Sequence, residues 1–208
     1  MKRIVLLSLL FVFALAGQQL KPIELPKPRT GAGKPLMQAL NARKTTRDFS
    51  PERLSPQVLS DLLWAAFGVN RPDGRRTAPS AMNSQEIDIY VALAEGVYLY
   101  DAKPHALKPV VAGDLRAATG GQGFVGTAPL NLVYIADFAR MGGSEQDKVF
   151  YSAADAGFIG QNVYLYCASE GLGTVIRGTI DRAALAKELK LRPEQRILLA
   201  QTVGYPKK

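Results

Sequence analysis

Seven consecutive residues, Arg43-Lys44-Thr45-Thr46-Arg47-Asp48-Phe49, place three cations and two hydroxyls in one short stretch. Arginine offers a planar fork that matches a phosphate, and lysine and threonine can complete an anion clamp. Alone, the run suits a solvated basic turn just as readily. A second segment, Pro79-Ser80-Ala81-Met82-Asn83-Ser84-Gln85, offers short polar side chains and open backbone donors. Gly171-Leu172-Gly173-Thr174 reads first as a helix stop with a tight exit turn. Gly178, in an extended stretch, marks a bulge or a place where something flat lies against the backbone.

Side chains for acid–base or metal chemistry are scarce. His105 is the only histidine, which excludes multi-histidine metal sites and disfavours a histidine-based triad. Its place beside Pro104, between two expected strands, suits a strand-edge role. HExxH, GxSxG, P-loop and GxGxxG patterns do not occur. Cys167 is the single cysteine and reads as a buried, inert thiol. A bound cofactor is then the natural source of reactivity, and no residue stands out as catalytic.

The elements that must position these groups mix helices and strands. Pro35 to Arg43 reads as a short helix with Leu36, Ala39 and Leu40 on one face. Ser55 caps a second helix, with Pro56 at its first position and Gly68 closing it. Asn70 to Asn83 is a long polar loop of the kind that carries function. Strands are expected around Ile87–Val91, Val97–Tyr100, Leu107–Val111, Leu130–Ala136 and Arg196–Val203, with Gly173 to Ile180 extended. The spacing predicts helices over Asp114–Thr119, Gln146–Glu170 and Arg182–Leu189. Without a steady strand–helix alternation, this order indicates an α+β domain. Ala153, Ala156, Gly160 and Val163 form a small-residue stripe on the long helix, which serves close packing within the chain or against a second copy.

The chain has 208 residues, 47% of them hydrophobic, enough for one well-packed domain. Its net charge is +8, spread along the sequence instead of gathered in one run, which weakens a nucleic-acid reading. Lys2 and Arg3, the apolar stretch Ile4–Leu15 and the Ala14-Leu15-Ala16 site read as a signal peptide over residues 1–16. The apolar run is short for a membrane span, which favours cleavage over an uncleaved N-terminal anchor; no stable insertion is then expected, and the mature chain is expected to be periplasmic or secreted. Residues 17–34, with Pro22, Pro26 and Pro28, read as an extended arm, and 35–208 as the folded domain.

Taken in order, the segments resemble the nitroreductase superfamily. The resemblance rests on Arg43-x-Thr45-x-Arg47-x-Phe49, then Pro79-Ser80-x-x-Asn83-x-Gln85, then Gln122 to Pro129. Gln161-Asn162, Gly171 to Thr174 and the closing Val203-Gly204-Tyr205-Pro206 complete it. Gly96-Val97-Tyr98-Leu99-Tyr100-Asp101 followed by His105-Ala106-Leu107 looks like the SagB-type branch, which includes oxidases acting on peptide heterocycles; that likeness makes His105 a framework residue. Glu86 departs from relatives that carry Trp or Tyr there.

The resemblance implies a homodimer with a central, mostly antiparallel sheet flanked by helices, holding FMN at the dimer interface and moving two electrons by a two-step exchange. It implies that Arg43, Lys44, Thr45 and Arg47 hold the phosphate and the polar edge of the flavin, with Lys207 as a further phosphate contact. Pro79, Ser80, Ala81 and Asn83 would come from the partner chain, Arg177 and Gly178 would approach the ring, and Gln122 would add a polar contact. No metal is implied. The substrate class is a small molecule or peptide, with a protein as a possible electron donor. Two other readings stand beside this one: a flavin-binding protein without turnover, and a basic module for nucleic acid or anionic lipid.

Overall fold

The computed structural model describes residues 20–207. The expected signal segment, residues 1–16, lies outside the described residues.

The described chain is an α+β fold around one seven-stranded sheet. In chain order the elements are β1 (Ile23–Glu24), α1 (Leu36–Ala42), α2 (Pro56–Phe67), β2 (Ile87–Leu93), β3 (Gly96–Asp101) and β4 (Ala106–Ala112). They continue with β5 (Leu130–Asp137), α3 (Glu145–Glu170), β6 (Gly173–Arg177), α4 (Arg182–Glu188) and β7 (Gln195–Gly204). The sheet order is β1-β4-β3-β2-β5-β7-β6, and every neighbouring pair is antiparallel.

Local chemistry sets the helix ends. Ser55 Oγ accepts from Val58 N at the start of α2, with Pro56 in the first turn, where its missing N–H costs nothing. Ser144 and Asp147 form a reciprocal capping box at the start of α3. Gly171, at φ 73°, closes α3 in the left-handed conformation that glycine adopts without penalty. Asp181 caps α4 by accepting from Ala184 N. The stretch Asp114–Thr119 forms only a single tight turn, Arg116–Thr119.

Both faces of the sheet are covered, which explains why all eight residues of β5 are buried. Leu132 and Tyr134 face α2 and α3 with Leu62, Leu63, Phe67, Ile159 and Val163. Val133 and Ile135 face α4 with Leu185 and Leu189. The arm is fastened to the domain: Ile23 and Glu24 pair with Leu107 and Ala106, and Asp61 receives both the backbone N–H and the guanidinium of Arg29.

The apolar face expected on α1 is only partly covered where the helix packs against α3. Ala39 is buried, but Leu36 and Leu40 are exposed, as is Met37. The small-residue stripe of α3 turns inward instead: Ala156, Gly160 and Val163 are fully buried, and only Ala153 is exposed. A Cβ on Gly160 would meet Ile176 Cδ1 at 2.8 Å, so the glycine lets α3 settle onto the sheet. Val149, Phe150, Tyr151 and Phe158 remain on the outer face of α3.

Candidate functional site

The basic segment leaves the end of α1 and crosses the start of β6, the outermost strand of the sheet. Thr46 N donates to Thr174 O at 3.0 Å. A Cβ on Gly173 would meet Thr46 Cγ2 at 2.8 Å, so this close crossing requires glycine at that position. Tyr164 of α3 fastens the segment from a second side. Its hydroxyl lies 3.3 Å from Thr45 Oγ1 and accepts from Ile176 N, and its ring lies beneath the Arg43 guanidinium, 5.4 Å from the centroid. The tail after β7 supplies the third side: Phe49 bridges to Pro206, and Lys207 N donates to Asp48 O at 3.1 Å. Lys207 therefore lies beside the segment in space, although 160 positions separate Lys207 from Arg47 in the chain.

Among the described residues, none of Arg43, Lys44, Arg47 and Lys207 forms an ion pair. Four cations on adjoining segments without a carboxylate partner repel one another, and a bound anion relieves that repulsion.

The other end of β6 is built differently. Arg177 turns its guanidinium into the protein, where it donates to Thr119 O, Thr202 Oγ1 and Asn131 Oδ1. All three acceptors are neutral, and burial lowers its pKa to about 10, still a cation at neutral pH. What this strand end presents outward is therefore the backbone at Gly178. A Cβ there would meet only Leu199 Cδ2 at 3.9 Å, so the chain's own packing makes no demand for glycine. The turn at Gly120-Gly121-Gln122 lies against this end through Gly121 N and Thr179 O, at 3.4 Å. Gln122 Oε1 is buried there without a donor. Thr174 and Gly178 are four steps apart along the extended chain, roughly 13 Å at the usual rise. One strand edge thus joins an unpaired cationic cluster to a buried, unpartnered acceptor.

Pro79, Ser80, Ala81 and Asn83 lie on the loop after α2, which holds an unusual backbone. Met82, Asn83 and Gln85 adopt φ of 52°, 54° and 47°, and none is glycine. The conformation is fastened by Asp155 Oδ2 accepting from Ala81 N at 2.8 Å and by Ser80 Oγ accepting from Gln85 N at 3.0 Å. No hydrogen bond or ion pair among the described residues joins this loop to the basic segment or to the Gly120–Gln122 turn.

With this geometry in hand, comparison with known proteins is informative. A family model described as the nitroreductase family matches residues 40–205. The chain belongs to the nitroreductase family. A crystal structure of a nitroreductase from Ralstonia eutropha is similar, with 46% identity, a TM-score of 0.87 and 92% of each chain covered. A protein of Methanocaldococcus jannaschii assigned as a nitroreductase is 31% identical over 175 residues, 79% of this chain and 88% of its own. A Desulfovibrio desulfuricans nitroreductase crystallised with FMN shares the fold, with 23% identity, a TM-score of 0.62, and coverage of 85% and 89%.

Several residues that build the site carry no obvious mark in the sequence. Tyr164 is one, because choosing it requires knowing which face of α3 meets the basic segment. Thr119, Asn131 and Thr202 are others, since they converge on Arg177 from three separate elements. His105 is a framework residue in its observed setting: Nδ1 lies 2.9 Å from Tyr100 Oη and Nε2 lies 2.7 Å from Ser60 Oγ. Burial lowers its pKa. Cys167 is buried as well, and burial pushes its thiol up, far from thiolate reactivity.

Proposed function

We propose that this chain is an FMN-dependent oxidoreductase of the SagB-type branch, exported to the periplasm or secreted, and working as a homodimer. The observation that carries the cofactor reading is the β6 edge, with unpaired cations at one end and an orphaned acceptor at the other. Arg43, Lys44, Thr45, Arg47 and Lys207 would grip the phosphate. Gln122 Oε1 would accept from a ring N–H, and the open backbone of Gly178 would lie against the flat ring. The buried Arg177 charge, matched only by neutral acceptors, leaves positive potential at the ring end. Bound FMN would supply reversible two-electron chemistry, which the residues of this chain do not offer.

The dimer reading rests on two features. Among the described residues, the large exposed hydrophobic ones are Leu36, Met37 and Leu40 on α1, Met82, and Val149, Phe150, Tyr151 and Phe158 on α3. Their concentration on α1, α3 and one loop is what a second copy would cover. The Pro79–Asn83 loop, which among the described residues has no hydrogen bond to its own basic segment, would then reach the partner's site. The branch reading rests on the β3 sequence Gly96–Asp101 and on the framework role of His105.

The deciding measurement is the visible spectrum of the mature protein, with the released cofactor identified by mass. A colourless protein that gains no flavin absorbance when given FMN would overturn the proposal. NADPH is a cytoplasmic reductant, so an exported member is expected to be reduced slowly by NADPH and faster by an artificial donor. Rapid stopped-flow bleaching by NADPH would contradict that part.

Gly178→Val gives a more local test. Its side chain enters open space, so the melting temperature should stay within about 2 °C of the parent, since only surface is altered. The same branched side chain would obstruct a flat ligand, and FMN affinity should fall by about tenfold or more. Unchanged affinity would remove Gly178 from the site.

A further inference from the structure

The loop between α2 and β2 carries three arginines that the phosphate grip does not use. Arg71, Arg75 and Arg76 line a recess of about 420 Å³ together with Ala78, Pro79, Ser80, Met82 and Asn83. No carboxylate lines it.

Two of the three guanidinium groups are held in place by neutral oxygens. Arg76 donates from Nε to Gln85 Oε1 at 2.8 Å and from Nη1 to Phe67 O at 3.0 Å, with its guanidinium 4.8 Å from the Phe67 ring centroid. Arg71 donates from Nε to Asn70 Oδ1 and from Nη2 to Arg76 O. Nη2 of Arg76 and Nη1 of Arg71 are left without a protein acceptor among the described residues. Arg75 has only a long contact, 3.6 Å, with the exposed Asp73. Behind the loop, Arg140 donates to Gln85 O and is neutralised by Asp88 and Asp137. Burial lowers the Arg76 pKa, with Arg140 adding to the shift and Tyr100, Asp101 and Asp88 opposing it. Fixed forks, spare N–H groups and uncompensated charge together make an anion-binding recess.

We propose that this recess recognises a carboxylate, and that the substrate class of the enzyme is a small organic acid or a peptide with an acidic group. Anion binding in the recess needs only the residues above. Its service to substrate rests on the two-chain flavin reading, in which the Pro79–Asn83 loop reaches the partner's site.

The test compares 4-nitrobenzoate with the neutral 4-nitrobenzyl alcohol, using calorimetry on the purified full-length protein in low-salt buffer. The acid is expected to bind about tenfold more tightly, and Arg71→Gln with Arg75→Gln should bring the two within about twofold. The double variant should keep the parent's flavin content and melting temperature, because both side chains are exposed. Arg76→Lys serves as a second probe that keeps the charge while losing the fork; it should weaken the acid and leave the alcohol unaffected. Equal binding of acid and alcohol by the parent overturns the proposal, as does a preference that survives the double substitution. A colourless protein that still prefers the acid in an Arg71- and Arg75-dependent way refutes the flavin reading and leaves the recess standing.

Discussion

Arg43→Ala combined with Arg47→Ala is expected to give a folded protein that purifies almost without colour and binds FMN about a hundredfold to ten-thousandfold more weakly. A hydrogen bond to a charged group contributes about 1.5–3 kcal/mol, so losing two removes about 3–6 kcal/mol. The fold should survive because neither arginine forms an ion pair within the chain, and Arg47 is exposed. The backbone bond from Thr46 N to Thr174 O and the bridge from Phe49 to Pro206 do not involve either side chain. Far-ultraviolet circular dichroism would verify the fold, and fluorescence titration with FMN would give the affinity. Free phosphate offers an independent readout, since it should compete with FMN in the parent and lose that ability in the variant. A double variant as yellow as the parent would show that the cationic cluster holds something else.

Glu86→Gln is expected to make the protein more stable at pH 8 and to change little near pH 4. Glu86 is fully buried, and neither carboxyl oxygen has a hydrogen-bond partner. Burial, reinforced by the Asp155 carboxylate, pushes its pKa up from 4.5 to about 7; Arg140 opposes the shift weakly. Below the ordinary value the group is protonated in folded and unfolded chains alike, and it makes no difference. Between 4.5 and 7 the unfolded chain releases the proton while the folded chain keeps it, so folding stability falls as pH rises. Above about 7 the full cost is present, on the order of 3 kcal/mol at most.

Glutamine removes that ionisation, and its amide can donate toward Asp155. The melting temperature of the variant should therefore exceed the parent's by about 5–10 °C at pH 8, at 2–4 °C for each kcal/mol. The two should converge near pH 4. Parallel melting curves across the range would show that Glu86 ionises freely in the folded protein. The effect bears on the site because Asp155, the neighbour of Glu86, also fastens Ala81 N and with it the strained Met82–Gln85 backbone. A proton held by Glu86 spares that loop a second buried negative charge.

How much was legible in advance differs sharply between elements. Caps and periodicity announced α2, α3 and α4, since Ser55, Gly171 and Asp181 act on the residues next to them. The alternation in Ile87–Val91 announced β2 for the same local reason. The α1 face was legible as apolar, but how far it is covered was not, since Ala39 is buried while Leu36 and Leu40 stay exposed. The partners of Arg177 were not legible, because Thr119, Asn131 and Thr202 reach its guanidinium from separate parts of the chain. Glu86 looked like a mere departure from its relatives until the fold enclosed it beside Asp155.

By itself the sequence determined the α+β class, the helix boundaries and the basic Arg43–Arg47 segment, because capping, alternation and charge clustering act over a few neighbouring residues. Only the tertiary structure decided that Lys207 returns to Asp48, that Tyr164 lies beneath Arg43, and that Arg177 meets Thr119, Asn131 and Thr202. Those facts depend on which strand ends the sheet and which helix face meets it. They are fixed by packing between residues distant in the chain, which no local pattern encodes.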